Sequence, residues 1–243
     1  MRVVKMSHYQ ILNWDSDVFG FGVAKILPEQ LNENDLTAAL QALKKQNIKL
    51  VYWASDSQDA ISQKAAQAQQ GFLADRKVTY LMSLEHHQIT AHGNIIEEYK
   101  ETTPSEALEF LALQSGLYSR FTADPKISNE IFEKIYKLWI ANSTNKQLAQ
   151  AVLVVKKNQQ LAGMITLGDK NKRGDIGLLA VHPDYRGLKI GADLVYAGQA
   201  WFAKHGFKQS QVVTQCDNKP ACALYEKCGY AIEKIENFYH FWL

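Results

Sequence analysis

The stretch IGLLAVHPDYRGLKIGADLV, residues 176–195, decides the fold. Its apolar start is typical of a buried strand, and the amphipathic segment from Ile190 to Lys204 is typical of a helix. The start of a helix leaves backbone N–H groups without partners and carries the positive end of the helix dipole. A glycine-containing loop lets these groups approach a phosphate, and Arg186 and Lys189 add positive charge. The sequence therefore predicts a local pyrophosphate site at this strand–helix turn.

The turn differs from two common phosphate-binding loops. It contains neither the GxxxxGK[ST] spacing of nucleoside triphosphatases nor the GxGxxG spacing of dinucleotide-binding folds. A phosphate site of another kind is expected.

The stretch resembles the acyl-CoA-binding motif of the GNAT acyltransferase superfamily, in which a Leu-Ala-Val-like triplet is followed by [QR]xxGx[GA] and a helix. Leu179–Val181 match the triplet, and Arg186 and Gly191 match the ends of the loop motif. Lys189 stands where the family usually has its first glycine, and we expect an ordinary backbone conformation there. The resemblance implies acyl-CoA as co-substrate, without a metal. The residues implied to bind acyl-CoA in this segment are Leu179, Val181, Arg186, Gly187, Leu188, Lys189, Ile190, Gly191 and Ala192.

A second segment resembles the same superfamily. Thr214–Asn218 ends an apolar strand, and Tyr225 and Gly229–Tyr230 follow at the family's spacing. The resemblance implies that Asn218 contacts the CoA arm and that Tyr225 lies near the thioester sulfur. A phenol with an ordinary pKa of about 10 stays protonated at neutral pH and can act as general acid toward the leaving thiolate. Packing of Tyr225 in the core is the alternative interpretation.

The two segments together predict a gap between strands. The strand of the first motif is expected to part from the strand that ends in VVTQ, so that acyl-CoA enters between them. Backbone N–H groups of Leu179 or Val181 would then hold the thioester carbonyl and stabilise the oxyanion.

A narrower resemblance concerns the acceptor. The segments NWDSDVFGFGVAKI, residues 13–26, and SRF, residues 119–121, are similar to GNAT enzymes of the dTDP-fucosamine acetyltransferase group. That similarity implies transfer of acetyl, or of a larger group such as 3-hydroxybutanoyl, to the amine of a dTDP-linked amino-dideoxysugar for surface polysaccharide biosynthesis. The candidate substrate-binding residues are Trp14, Phe19, Ser119, Arg120, Phe121 and His240.

Other roles for these side chains stay open. Trp14 and Phe19 could equally pack at a domain interface, and Arg120 could form a surface salt bridge. The alternative acceptors are another small amine or none at all, the latter if the chain is a CoA-binding regulatory module.

The base that deprotonates the amine is not evident from the sequence. Asp75, which follows Gly71–Phe72, could act through water, and His240 is a second candidate. A solvated strand residue is the alternative interpretation of Asp75. Covalent catalysis is not required, because an amine can attack a thioester directly.

The remaining pattern predicts a mixed α/β fold with two domains. Residues 95–243 would form the GNAT domain, and residues 1–94 a smaller N-terminal α/β domain that contributes to the acceptor-sugar pocket. The order of strand, helix and Gly71–Phe72 in the first part repeats that of strand, helix and Gly229–Tyr230 in the second. A degenerate half-GNAT repeat and two ordinary α/β units both explain this order.

Composition limits the partners. The 243 residues include 27 Lys and Arg and 25 Asp and Glu, a net charge of +2 that gives no general field for a nucleic acid. No apolar run is long enough for a membrane span or a signal peptide, and a cytoplasmic protein is expected. The superfamily makes a homodimer plausible.

The metal-binding residue types do not form a recognisable site. Cys216, Cys222 and Cys228 lack a CxxC pair, which argues against zinc and disulfides. His86, His87 and His92 cluster without acidic or cysteine ligands, so a polar linker is the favoured interpretation.

Overall fold

The computed structural model describes residues 8–85 and 93–243, and the fold is α/β. The helices of the described residues are α1 (Asn13–Phe19), α2 (Glu33–Lys44), α3 (Ala60–Ala68), α4 (Glu106–Ser115), α5 (Arg120–Ala123), α6 (Asn129–Thr144), α7 (Ile190–Lys204) and α8 (Lys219–Lys227). The strands are β1 (Tyr9–Ile11), β2 (Gly22–Ile26), β3 (Ile48–Asp56), β4 (Phe72–Ser83), β5 (Ile96–Glu98), β6 (Ala151–Lys157), β7 (Gln160–Lys170), β8 (Arg173–Val181), β9 (Gln209–Gln215) and β10 (Ala231–Trp242).

The chain divides into two compact units, and the division differs from the sequence boundary near residue 94. The first unit holds the described residues up to Lys77 together with Ala123–Ile131 and Ile235–Leu243, and the second holds the rest. The difference arises because the chain returns to the first unit twice. The last return is fixed by pairing of Glu236–Trp242 with β3, which a boundary drawn along the sequence cannot represent.

The first unit is built on strands in the order β1-β2-β3-β10. Strands β2 and β3 run parallel, with helix α2 as the connection between them, whereas β10 runs antiparallel to β3. Leu36 and Leu43 of α2 are fully buried, in agreement with their helical spacing. Trp53 of β3 is also fully buried, and its indole N–H donates to the carbonyl of Pro28 at 2.7 Å.

The second unit contains the strand order β4-β9-β8-β7-β6-β5. Strands β5 to β8 are antiparallel neighbours, and β8 and β9 run parallel, with α7 as their connection. Helix α7 packs on β7: a Cβ at Gly163 would come within 2.8 Å of Ile190 and 3.0 Å of Leu194. The absence of a side chain at Gly163 therefore sets how closely this helix approaches the sheet.

No helix among residues 8–85 and 93–243 is long and apolar enough to cross a bilayer.

Candidate active site

Strands β8 and β9 part after a short stretch of pairing, as expected from the sequence. Their parallel register joins Gly174 to Ser210 and ends with Ile176 opposite Val212. Strand β8 nevertheless continues to Val181 and β9 to Gln215. Residues 177–181 of β8 therefore do not pair with β9, which leaves an opening beside the triplet Leu179–Val181.

A β-bulge in β8 lies where the opening begins. Ile165 of β7 pairs with Leu179 and Leu167 pairs with Ile176, so Thr166 faces two residues of β8. The Thr166 hydroxyl is buried and accepts the backbone N–H of Leu178 at 2.8 Å. Bulges bend a strand and increase its twist, which accounts for the departure of β8 from β9.

The loop between β8 and α7 presents an open helix N-terminus. Gly187 has φ 81° and Lys189 has φ 61°, both in the left-handed region. The expectation of an ordinary backbone at Lys189 is therefore wrong: lysine adopts the conformation that a glycine would favour, because the loop must turn into α7 at this point. The Lys189 side chain makes no capping hydrogen bond to the helix. The side chain at the N-cap position therefore does not satisfy the first N–H groups of α7, and Arg186 and Lys189 lie in the loop that leads into them.

Three implied CoA-binding segments come together at Gly191. A Cβ placed there would lie 3.6 Å from the Val181 side chain and 3.3 Å from that of Leu224 on α8. The first turn of α7 therefore packs closely against both the triplet strand and α8. Arg186 donates to the Gln114 side chain at 3.2 Å. Leu188 is exposed, Ile190 is buried and Ala192 is partly buried.

Helix α8 carries the residues implied by the second motif. The Asn218 side chain caps the helix by accepting the backbone N–H of Ala221 at 3.3 Å. Tyr225 is only 4% exposed, with its ring 6.0 Å from the rings of Tyr80 and Tyr230. Burial raises the pKa of Tyr225 well above its ordinary value, so the phenol holds its proton and can serve only as a donor near neutral pH.

A cavity of about 490 Å³ opens on the bulge of β8. Its lining includes Trp139 of α6, Thr166 of β7, Gly177 of the bulge and Val213 of β9. It also includes Asp175, which sequence analysis missed. Burial raises the pKa of this carboxyl group, and the amide of Gln211 opposes that effect by donating to it at 2.7 Å. The available signal was a carboxylate directly before the apolar segment 176–181 of the motif.

Four of the sequence candidates lie in the first unit. Trp14 is 38% exposed on α1, Phe19 is buried with its ring 5.4 Å from that of Phe21, and Asp75 is partly buried on β4. His240 of β10 is fully buried, and its Nδ1 lies 2.7 Å from the carboxylate of Asp124. Within that unit the His–Asp pair fastens β10 to the segment 123–131.

The SRF segment lies in the second unit. Ser119 and Phe121 are buried, and the Phe121 ring meets Trp139 edge-on at 6.0 Å. The guanidinium of Arg120 stacks over the Phe121 ring at 4.1 Å. Arg120 therefore covers one ring face of Phe121. Of these two aromatic side chains, Trp139 lines the cavity.

The described residues contain no group of three or more His, Cys, Asp or Glu side chains placed to hold a metal ion. Cys216, Cys222 and Cys228 are free thiols. The His86, His87 and His92 cluster lies outside the described residues.

Comparison with known protein families gives a match over this same region. Residues 114–230, about half of the chain, match the Acetyltransferase (GNAT) family. They include the whole β8–α7–β9–α8 arrangement described above. The chain is also similar to a solved GCN5-related N-acetyltransferase from Sphaerobacter thermophilus, with a TM-score of 0.64 and 13% identity over 96% of this chain and 75% of the other. That likeness concerns the fold.

Two curated relatives are similar in sequence. The spore coat polysaccharide biosynthesis protein SpsD of Bacillus subtilis is 29% identical over 144 residues, which are 58% of this chain and 49% of that protein. A streptothricin acetyltransferase from Escherichia coli is 30% identical over 82 residues, which are 33% of this chain and 47% of that protein. The chain thus spans about half the length of the curated relatives that it matches.

Proposed function

Because residues 114–230 form a GNAT acetyltransferase domain, we propose that the protein transfers an acyl group from acyl-CoA to the amine of a nucleotide-linked amino sugar. The observation that carries the proposal is the parting of β8 from β9, which begins at a bulge and runs into an uncapped helix N-terminus. An extended thioester fits along a strand edge with free backbone groups, and its diphosphate fits the N–H groups of α7 with Arg186 and Lys189.

The chemistry is direct aminolysis of a thioester. The uncharged amine attacks the carbonyl carbon, and the oxyanion that forms is stabilised by backbone N–H groups of Leu179 or Val181 at the open edge of β8. As the C–S bond breaks, the Tyr225 phenol gives its proton to the thiolate of CoA. The raised pKa of Tyr225 keeps the phenol protonated until that step.

The acceptor class rests on two supports. A relative takes part in spore coat polysaccharide biosynthesis, and the narrower sequence resemblance joins this chain to sugar-acylating enzymes. The lining of the cavity beside the bulge also supports this acceptor class, since it includes the carboxylate of Asp175, the amine of Lys170 and the flat indole of Trp139. Such a set suits an acceptor with an ammonium group, anionic phosphates and a sugar ring. We favour a dTDP-linked amino-dideoxysugar, with acetyl as the default acyl group.

The test is CoA release from acetyl-CoA and 3-hydroxybutanoyl-CoA with dTDP-linked sugars bearing the amine at carbon 3 or carbon 4. A panel of polyamines and aminoglycosides tests the alternative acceptors. We expect turnover with at least one amino sugar and not with the same sugar bearing a hydroxyl at that carbon. Turnover confined to the other amines would overturn the sugar assignment, and tight acyl-CoA binding without any turnover would favour a regulatory module.

The role of Tyr225 is tested by Tyr225→Phe. We expect kcat to fall by about 100-fold, the size typical of a lost proton donor, while the Kd for acyl-CoA changes little. Tyr118→Phe is the matched control, since Tyr118 is 49% exposed and lies in the same unit. Full turnover by Tyr225→Phe would exclude the phenol as general acid.

A further inference from the structure

The carboxylate of Asp175 lies at the point where β8 and β9 begin to part. Asp175 is directly opposite Gln211 in the parallel ladder, and the next pair, Ile176 with Val212, is the last. The side chain lines the cavity on the bulge together with Trp139 and Thr166. A charged group is therefore held at the inner end of the opening proposed for acyl-CoA, in the wall of the cavity proposed for the acceptor.

A chain of hydrogen bonds fixes this carboxylate. Arg173 binds Glu233 of β10 with both terminal nitrogens, at 2.8 and 2.9 Å, and one of them also donates to the Gln211 side-chain oxygen at 3.4 Å. Because its oxygen faces Arg173, Gln211 presents its NH₂ group to Asp175 and donates at 2.7 Å. The arrangement prevents the amide from turning its oxygen toward the carboxylate.

We propose that Asp175 accepts the proton that the acceptor amine must lose, and that Gln211 and Arg173 are positioning residues that hold its carboxylate ready. The inference rests on the proposed transfer to an amine but not on the identity of the acceptor. At about 3.3 Å per residue, and with one bulge residue between, Asp175 lies roughly 10 Å along β8 from Leu179. The proton therefore passes through water in the cavity.

The proton balance assigns each group one task. An ammonium acceptor loses a first proton to Asp175 through water, and the neutral nitrogen then forms the C–N bond. The C–S bond breaks, and the thiolate takes a proton from Tyr225. The second proton of the nitrogen is lost as the amide forms and restores the phenol, while Asp175 releases its proton to solvent. The products are the amide, CoA thiol and one proton.

The electrostatic surroundings suit this task. Burial raises the pKa of Asp175, which makes the carboxylate a better base than an exposed one. Gln211 and Lys170 favour the charged form, and Asp169 disfavours it. Among the described residues, the charged and titratable groups around Asp175 are Asp169 and Lys170 on β7, Arg173 on β8, the phenol of Tyr230 before β10 and, through Arg173, Glu233 on β10.

The main experiment compares Asp175→Asn and Asp175→Glu with the wild type in kcat against pH, at saturating acyl-CoA and amine. We expect Asp175→Asn to lose about 100-fold in kcat and to lack the low-pH limb of the profile, with little change in Kd for acyl-CoA. Asp175→Glu should keep that limb with partial activity. Glu97→Gln removes an exposed carboxylate on β5 and should leave the profile unchanged. An Asp175→Asn variant that binds acyl-CoA normally and keeps the limb would overturn the proposal.

The positioning role is tested by Gln211→Leu. The variant removes a donor that stabilises the charged carboxylate, so the low-pH limb should move upward by about one pH unit. Arg173→Gln should move it in the same direction by less. A lower kcat with an unmoved limb would indicate a purely structural role for both residues and would overturn this part.

The outcomes separate this inference from the proposed function. Turnover of an amino sugar with an unaffected Asp175→Asn variant overturns only the inference. Turnover of other amines alone, with the limb lost in Asp175→Asn, overturns only the sugar assignment. Absence of transfer to every amine overturns both, because no amine is then deprotonated.

Discussion

Each unit of the protein contains a parallel β-α-β connection. The two connections differ in how far their strands stay paired and in how the helix N-terminus is capped. In the first unit, β2 and β3 stay paired to Ile26, where β2 ends. In the second, β8 and β9 pair only to Ile176 and then part. The same local topology thus gives strands that stay paired in the first unit and strands that part in the second.

The helix N-termini differ in the same sense. The start of α2 is capped by its own Asn32, which accepts the N–H of Asp35, and its first turn is acidic. The start of α7 lacks a side-chain cap from Lys189 and follows a loop that contains Arg186 and Lys189; the acidic residue of its first turn, Asp193, accepts a hydrogen bond from the Asn94 side chain. At α2 an anion would meet a capped N–H group and two carboxylates in the first turn, whereas at α7 it would meet N–H groups without a side-chain cap and a loop that carries two cations. This difference in capping and pairing is the reason why the anion site is proposed at α7 and not at α2.

The largest effect is expected on stability, at the buried pair of Asp124 and His240 in the first unit. Burial opposes ionisation of Asp124, but hydrogen bonds from His240, the Lys126 backbone and Trp242 outweigh it and hold its pKa below the usual range. Asp124→Asn should lower the free energy of unfolding by about 3 kcal/mol at pH 7, as for other broken buried pairs. Urea denaturation measures this loss, and acyl-CoA binding by the folded variant should be unchanged.

The pH dependence of stability follows from the sign of the same shift. A lowered folded-state pKa gives stability that is complete above the ordinary value of about 3.9 and is lost as the pH falls through the folded pKa. The wild type should therefore lose this contribution in that acidic window, and Asp124→Asn should have no corresponding loss. An identical acid dependence in the two proteins would show that Asp124 is not the group responsible.

The second effect concerns the open helix N-terminus. Lys189→Asp replaces a cation by an anion next to the proposed diphosphate site, and we expect the Kd for acyl-CoA to rise about 100-fold at low salt. Isothermal titration at two salt concentrations measures it. Lys189→Gly is the backbone control, because glycine readily adopts the left-handed conformation and the variant removes the lysine side chain without adding an anion; its loss should be smaller. Asn32→Ala should cost about 1 kcal/mol of stability and leave the Kd unchanged. Equal affinities in Lys189→Asp and wild type would contradict a phosphate site here.

Sequence patterns predicted the local elements of this region well. Helix α7 begins at Ile190 and ends at Lys204, as its amphipathic pattern indicated. The strand–turn–helix order and the family resemblance followed from residues close together along the chain. Contacts between neighbours in sequence are what such patterns encode.

The features that sequence analysis missed are non-local. The bulge in β8 depends on its register against β7, and the bond between Asp124 and His240 joins residues 116 positions apart. The role proposed for Asp175 depends on Gln211, which strand pairing places opposite it. The error at Lys189 has a different origin, because the loop path and not the side chain dictates its φ angle.

The smallest predicted effect tests the origin of the opening itself. Thr166→Val keeps the size of a buried side chain and removes the hydroxyl that accepts the N–H of Leu178. An unsatisfied buried N–H costs about 2 kcal/mol, which thermal or urea denaturation will detect. Because that bond holds the bulge, β8 should sample a regular register against β7 and spend less time apart from β9. We expect kcat/KM for acyl-CoA to fall about tenfold.

Thr144→Val is the matched control for this last change, since Thr144 is also buried but its hydroxyl donates to the carbonyls of Thr102 and Ala141, away from the bulge. It should lower stability without lowering kcat/KM for acyl-CoA in the folded enzyme. If Thr166→Val loses stability and keeps full kcat/KM, the bulge persists without its hydrogen bond. The parting of β8 and β9 would then come from the side chains beyond Ile176 and not from Thr166. That result would move the cause of the difference between the two β-α-β units from the β7–β8 ladder to the β8–β9 edge.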